Sequence, residues 1–187
     1  AQTYTFDYIL STNYIDLNNP KENSKKISGI HNSKNSDFEM IIRSEDAYIF
    51  DYKKNVIQKF FIKKNSKTSL EFINRKNRSN YNPEKLYYNI IKKNDLEFFI
   101  EIFRNKKKKK PSIILEVKLK ESDENFIYLH GHFNGKSKAE IGNNMKSMLD
   151  STKKYVVKSS IIEYNNGNRY QYDYDIYEKI NLTIEVK

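Results

Sequence analysis

The sequence predicts a mainly β protein: a large curved antiparallel sheet, or a half-barrel or barrel-like wrap, of roughly ten strands with one amphipathic helix. Apolar residues recur at every second position along most of the chain. The plainest case is Tyr170, Tyr172, Tyr174 and Ile176, followed by Ile180, Leu182, Ile184 and Val186. Successive side chains of a pleated strand point to opposite faces, so a period of two describes strands with one buried and one wet face. Short polar turn segments separate these runs, as in an antiparallel meander. Only one stretch, about 138–151, carries the helical period instead.

Taken in order, Tyr4, Phe6, Tyr8 and Leu10 form the first alternating set, and the polar stretch Asn18–Lys26 with Pro20 reads as a long loop. Phe38, Met40 and Ile42 alternate with Glu39, Ile41 and Arg43. Tyr48, Phe50 and Tyr52 follow, and Lys53-Lys54-Asn55 turns the chain into Val56–Ile62, a hairpin. Leu70–Ile73 is a shorter strand. Residues 83–93 admit two readings. Asn82-Pro83-Glu84 has the cap, the first-turn proline and the acid of a helix start, whereas Tyr88 and Ile90 alternate ahead of the turn Lys92–Asp95; strand is preferred. Leu96–Phe103 and Ile113–Leu119 are strands with acidic and basic outer faces, and Phe126–His132 is expected to be another.

Ser137 and Glu140 have capping-box spacing, and Ile141, Met145, Met148 and Leu149 then fall at i, i+4, i+7 and i+8, which predicts the helix. Tyr155–Tyr164 returns to strand. Asn166-Gly167 is a strong hairpin signal because it supplies two positive-φ positions of a type I′ turn. No internal repeat or linker interrupts the chain, so 1–187 is expected to be a single β-rich domain.

The 187 residues carry 34 Lys and Arg against 24 Asp and Glu, for a net charge of +10. A pI near 9.4 implies attraction to polyanions. Lys, Asn, Ile, Tyr and Phe are abundant together, however, and AT-rich codons account for that excess without an anionic partner. With no Cys, disulfides, thiolate metal sites and Cys nucleophiles are excluded. No apolar run reaches the length of a membrane helix. The start Ala1-Gln2 suits a mature exported protein after removal of a leader, so a periplasmic, envelope or secreted location is expected.

Four patterns are candidate sites. Tyr170, Tyr172 and Tyr174 could line an apolar-ligand or carbohydrate groove, because ring faces stack on apolar patches and hydroxyls orient the ligand; cross-strand packing is the plainer account. Arg104 with Lys106, Lys107, Lys108, Lys109 and Lys110 could contact a polyanion or anionic surface, although it also reads as a solvated hairpin loop closed by Pro111. No aromatic interleaves with these lysines, so a base-stacking platform is missing there and nucleic acid is disfavoured. His130 and His132 share a face, a spacing used by some zinc sites, but a third ligand is not evident. Asp173/Asp175 and Glu97/Glu101 pair carboxylates on wet faces, where water keeps them ordinary acids. No nucleophile elbow, phosphate loop or zinc-protease motif is present, so no catalytic residue and no cofactor is expected. Asn77 and Asn181 begin Asn-x-Ser/Thr sequons, which matter only in a glycosylating host.

The start Ala1-Gln2, the segment His31–Phe38, Tyr48–Tyr52 and the lysine hairpin resemble uncharacterised exported β-rich proteins of AT-rich bacteria. The expected architecture also resembles the half-barrel of periplasmic lipoprotein carriers, by fold analogy only and with no residue carried over. The expected function is that of a non-enzymatic, exported module that binds an apolar ligand or a protein on the concave face of its sheet, with no transmembrane segment and room for peripheral envelope association. An envelope-polymer hydrolase and a polyanion binder are the alternatives.

Overall fold

The computed structural model describes residues 2–20, 24–64, 68–77, 86–107, 109–130 and 135–186. Eleven strands form one open antiparallel sheet in the order β6-β5-β4-β3-β2-β1-β11-β10-β9-β8-β7. They are β1 (Gln2–Asp16), β2 (Ser24–His31), β3 (Phe38–Arg43), β4 (Asp46–Asp51), β5 (Val56–Lys64), β6 (Thr68–Asn77), β7 (Tyr87–Lys92), β8 (Glu97–Phe103), β9 (Ile113–Glu121), β10 (Tyr155–Tyr164) and β11 (Arg169–Val186), with one helix, α1 (Gly135–Ser147). The mainly β, antiparallel reading is what the structure shows. The chain forms two compact units, residues 1–11, 27–82 and 176–187, and residues 12–26 and 83–175.

The first unit curls around its own inner face. Tyr4, Phe6, Ile30, Met40, Ala47, Ile49, Phe60, Ile62, Ile184 and Val186 make its core. The ring of Phe38 packs edge-on against Tyr4 at 5.1 Å and Phe6 at 5.4 Å. Gln58 on β5 donates to Tyr4 Oη on β1 at 2.8 Å, and that hydroxyl donates to Asp51 on β4 at 3.0 Å. In a flat sheet β1 and β5 would lie ~19 Å apart, four strand spacings, beyond the reach of these side chains. Curling brings them together, and the buried Asp51 carboxylate thereby gains the partners that burial demands.

In the second unit the buried sheet face runs from Phe98, Ile100 and Ile102 to their partners Val117, Leu115 and Ile113, then to Ser160 and Ile162 opposite Val117 and Leu115, and to Tyr172 opposite Ser160. Two pieces of chain pack with this face. The helix α1 contributes Ile141 and Met145, both fully buried, and segment 126–130 contributes Ile127, Tyr128, Leu129 and His130. A Cβ on Gly142 would lie 2.8 Å from the Ile127 carbonyl oxygen, so helix and segment touch backbone to backbone where only glycine fits.

Several expectations are corrected. Segment 126–130 is not a strand: apart from a single parallel bridge between Phe126 and Val156 it joins no ladder. Four consecutive residues, 127–130, are buried where a half-buried strand would alternate, which marks a segment laid on the sheet instead of within it. The helix spans Gly135–Ser147, not 138–151, so Ser137 lies in its first turn instead of capping it, and Glu140 accepts from Tyr88 Oη at 2.8 Å. Its buried stripe is Lys138, Ile141, Gly142 and Met145, with Met148 beyond the end and 38% exposed. Strand β2 takes the end of the expected loop. The two closing strands are one, because their alternation keeps the same phase from Tyr170 to Val186.

The β10–β11 hairpin is present, but not on a type I′ turn. Only Gly167 has positive φ, at +84°, and its N–H donates to the Tyr164 carbonyl at 2.9 Å. That is a type I turn closed by a left-handed glycine. Tyr87–Lys92 is strand, as preferred. The helix-start signal Asn82-Pro83-Glu84 lies outside the described residues.

Candidate functional site

The tyrosine ladder and one of the predicted histidines come together in the second unit. Tyr172 and Tyr174 are buried, and segment 126–130 lays His130 against both: its ring stacks on Tyr172 at 4.9 Å and leans on Tyr174 at 5.3 Å. The backbone N–H of His130 donates to Tyr174 Oη at 3.1 Å, and its Nε2 lies 3.2 Å from Thr12 Oγ1. Tyr170, half-buried, stacks on Tyr14 at 5.4 Å and meets Tyr164 edge-on at 5.9 Å. Burial, before any neighbouring charge, pushes the phenols of Tyr172 and Tyr174 well above the usual tyrosine range. These rings are packed by the protein's own side chains. His132 lies outside the described residues, and among those described no three His, Asp or Glu residues are gathered to hold a metal ion.

The lysine run lies in the β8–β9 hairpin loop. Arg104, Lys106, Lys107, Lys109 and Lys110 are exposed, and Lys108 lies outside the described residues. The carboxylates are each engaged separately. Glu97 pairs with Lys118 at 3.1 Å and accepts from Asn94 at 2.8 Å; the Lys118 ammonium holds it below the usual carboxylate range. Glu101 accepts from Asn89, Asp173 from Gln171 and Asp175 from Asn13.

The first unit carries a site that no run of residues announces. The reversal between β3 and β4 is two residues long, with Ser44 at φ +52°, and sets Ile41 opposite Tyr48. The β4–β5 turn, with Asn55 at φ +55°, then sets Phe50 opposite Ile57 and Tyr48 opposite Lys59. A bulge after Lys59 leaves Asn74 opposite Lys59 and Lys76 opposite Ile57. All of these side chains point away from the core. A groove of about 390 Å³ on this side is lined by Arg43, Tyr48, Phe50, Ile57, Lys59, Asn74 and Lys76.

Phe50 and Ile57 form the floor of this groove, and the cations stand around it. Arg43 Cζ lies 6.0 Å and Lys59 Nζ 5.7 Å from the Tyr48 ring centre, within cation–π range. Tyr48 Oη donates to Asp46 at 3.1 Å, and Asp46 accepts from Lys59 at 2.9 Å. The Lys59 ammonium holds the Asp46 carboxyl below its ordinary value, and Asp46 raises Lys59 in return. The groove lining itself holds three cations and no acid, and Asp46 beside it answers only one of them. Next to Phe50, Glu39 is buried with His31 at 3.7 Å and accepts from Tyr52 Oη, so this flank is held in place.

Counting outward from the predicted turn at Lys53–Asn55 would set Tyr48 opposite Phe60; the connection takes in Tyr52 as well, and this one-residue difference puts Lys59 there instead. The arrival of Asn74 and Lys76 is equally hidden, because it depends on a bulge with no glycine or proline to mark it. The fold and this site define an open antiparallel β-sheet protein with a cationic, aromatic-floored groove. No family model matches the chain, and no curated protein sequence is similar to it.

Proposed function

We propose that this chain is a non-enzymatic binding module of the exported kind its sequence resembles, and that it takes an anionic ligand in the groove over β3–β6. The observation that carries the reading is the lining: Arg43, Lys59 and Lys76 around Phe50 and Ile57, with no carboxylate among them. Fixed cations beside an apolar floor favour a ligand that has both negative charge and a flat or apolar part. Tyr48 keeps two of the cations in place, so less side-chain freedom is lost when a ligand arrives. A pyrene tetrasulfonate dye, titrated by fluorescence anisotropy, is the test. Binding should weaken about tenfold or more in Arg43→Glu and in Lys76→Glu, and should fall with salt. A dye affinity equal in wild type and both variants would overturn the reading.

A second surface has its own support. Lys106, Lys107, Lys109 and Lys110 are exposed and form no ion pair among the described residues, which leaves the β8–β9 tip free to approach an anionic surface. Vesicles with one-third anionic lipid should retain the wild-type protein at low salt and retain Lys109→Glu/Lys110→Glu less. Equal retention of the two removes this surface from consideration.

A further inference from the structure

We propose that the groove ligand is an extended acidic segment of another protein, which adds to the sheet as a strand beside β6; this rests on the anionic-groove reading above. The fold treats the two edges of the sheet differently. At β7, six residues long, Tyr88 donates to Glu140 and accepts from Asn144, and Lys92 Nζ donates to the Met148 carbonyl at 3.1 Å. Those side chains tie that edge to α1 and the residues just after it. Strand β6 is ten residues long, and its one ladder is to β5. An edge strand presents a row of unpaired N–H and C=O groups, which is a template for one more strand.

The side chains of β6 define what that strand must carry. Leu70 and Phe72 lie opposite Ile62 and Phe60 on the core side. Phe72 and Ile73, 45% and 46% exposed, are the most exposed large apolar side chains among the described residues. An added strand with apolar residues on the core side would cover Phe72. Asn74 and Lys76 lie on the groove side, opposite Lys59 and Ile57. Neither Arg75 nor Lys76 forms an ion pair among the described residues, whereas Glu71, the one acid of β6, is held by Lys63 at 2.7 Å. Acids at every second position of the added strand would meet Lys76 and the groove cations beyond it. A second copy is a poor occupant. Two paired β6 edges would set two cationic grooves side by side on one joined face, in a chain of net charge +10. The edge therefore fits a strand in which apolar and acidic residues alternate.

A fluorescein-labelled octapeptide alternating valine and glutamate serves as the probe, beside the same sequence with every backbone N–H methylated and an octapeptide alternating valine and lysine. Fluorescence anisotropy with the full chain should show binding of the first, weakened about tenfold or more in the exposed Lys76→Glu and falling with salt. Methylation removes the main-chain donors and keeps the charge, so the methylated peptide should not bind. Equal binding of the two would overturn strand addition while leaving an anion groove. Equal binding of the valine–lysine peptide also overturns the proposal, as does an acidic peptide silent where the sulfonated dye binds. A dimer in sedimentation equilibrium that dissociates in Phe72→Lys would give the edge to a second copy and overturn the peptide assignment. If dye and peptide both ignore Lys76→Glu, the groove reading itself fails and this inference with it.

Discussion

Strands β4 and β11 carry nearly the same pattern and meet opposite fates. On β4 the alternating rings are Tyr48 and Phe50, and on β11 they are Tyr170, Tyr172 and Tyr174. Two of the β11 rings, Tyr172 and Tyr174, lie against segment 126–130, where His130 occupies the space a ligand would need, and both are less than a tenth exposed. The β4 rings lie on the face turned away from the first unit's core and remain half-buried, and cations gather around them. Alternation tells which side chains share a face, but whether that face becomes core or binding surface depends on what chain crosses it.

The largest expected effect breaks the covering of β11. Leu129→Ala removes a fully buried side chain from the crossing segment and should cost about 2–5 kcal/mol, read as a lower denaturant midpoint at unchanged slope. Phe50→Ala on the half-buried face should cost clearly less; equal losses would erase the contrast. Next is Gly142→Ala. Alanine is the better helix former by about 1 kcal/mol, yet its Cβ would press on the Ile127 carbonyl oxygen, which belongs to backbone and cannot swing aside. Overpacking of this kind costs about 1–3 kcal/mol, so thermal unfolding should move down, and a rise would show that segment and helix are loosely joined.

The third prediction uses the buried phenols. The folded-state values of Tyr172 and Tyr174 lie above those of the unfolded chain, so their contribution is complete below the ordinary tyrosine range and is lost as pH rises above it. Each should lower stability by about 1.4 kcal/mol per pH unit above pH ~10, and Tyr174→Phe should flatten that slope. Phenolate absorbance that titrates in full before unfolding would contradict the burial of these rings. The smallest effect belongs to the lysine hairpin, where Lys109→Ser and Lys110→Ser should each change stability by no more than about 0.5 kcal/mol.

Much of the fold was legible because β periodicity is local. The hairpins β4–β5, β8–β9 and β10–β11 could be read from alternation plus a turn, and the two halves of β11 share a phase that joins them. Strand β2 was hidden. Its core is Lys25-Lys26-Ile27-Ser28-Gly29-Ile30-His31, which lacks an apolar alternation, and it is held by its ladder to β3 from Ser28↔Ile42 to His31↔Glu39. Gly29 belongs there for a tertiary reason: a Cβ would run into the ring of His31. The misread segment 126–130 has the apolar content of a strand, and sequence does not reveal whether such a run hydrogen-bonds beside a sheet or lies across it. The candidate groove was hidden more deeply, since its lining comes from four strands and its three cations from three of them.

The sequence by itself determined the class, an antiparallel sheet with one helix, and sorted side chains onto shared faces, because each depends on neighbours two to four residues away. Only the tertiary structure decided which tyrosines became core and which cations became neighbours. Those outcomes depend on a segment and a helix packed with strands up to 118 residues away in the chain, and on a bulge that shifts one strand's register; long-range contacts of this kind leave no periodic trace in the residues that make them.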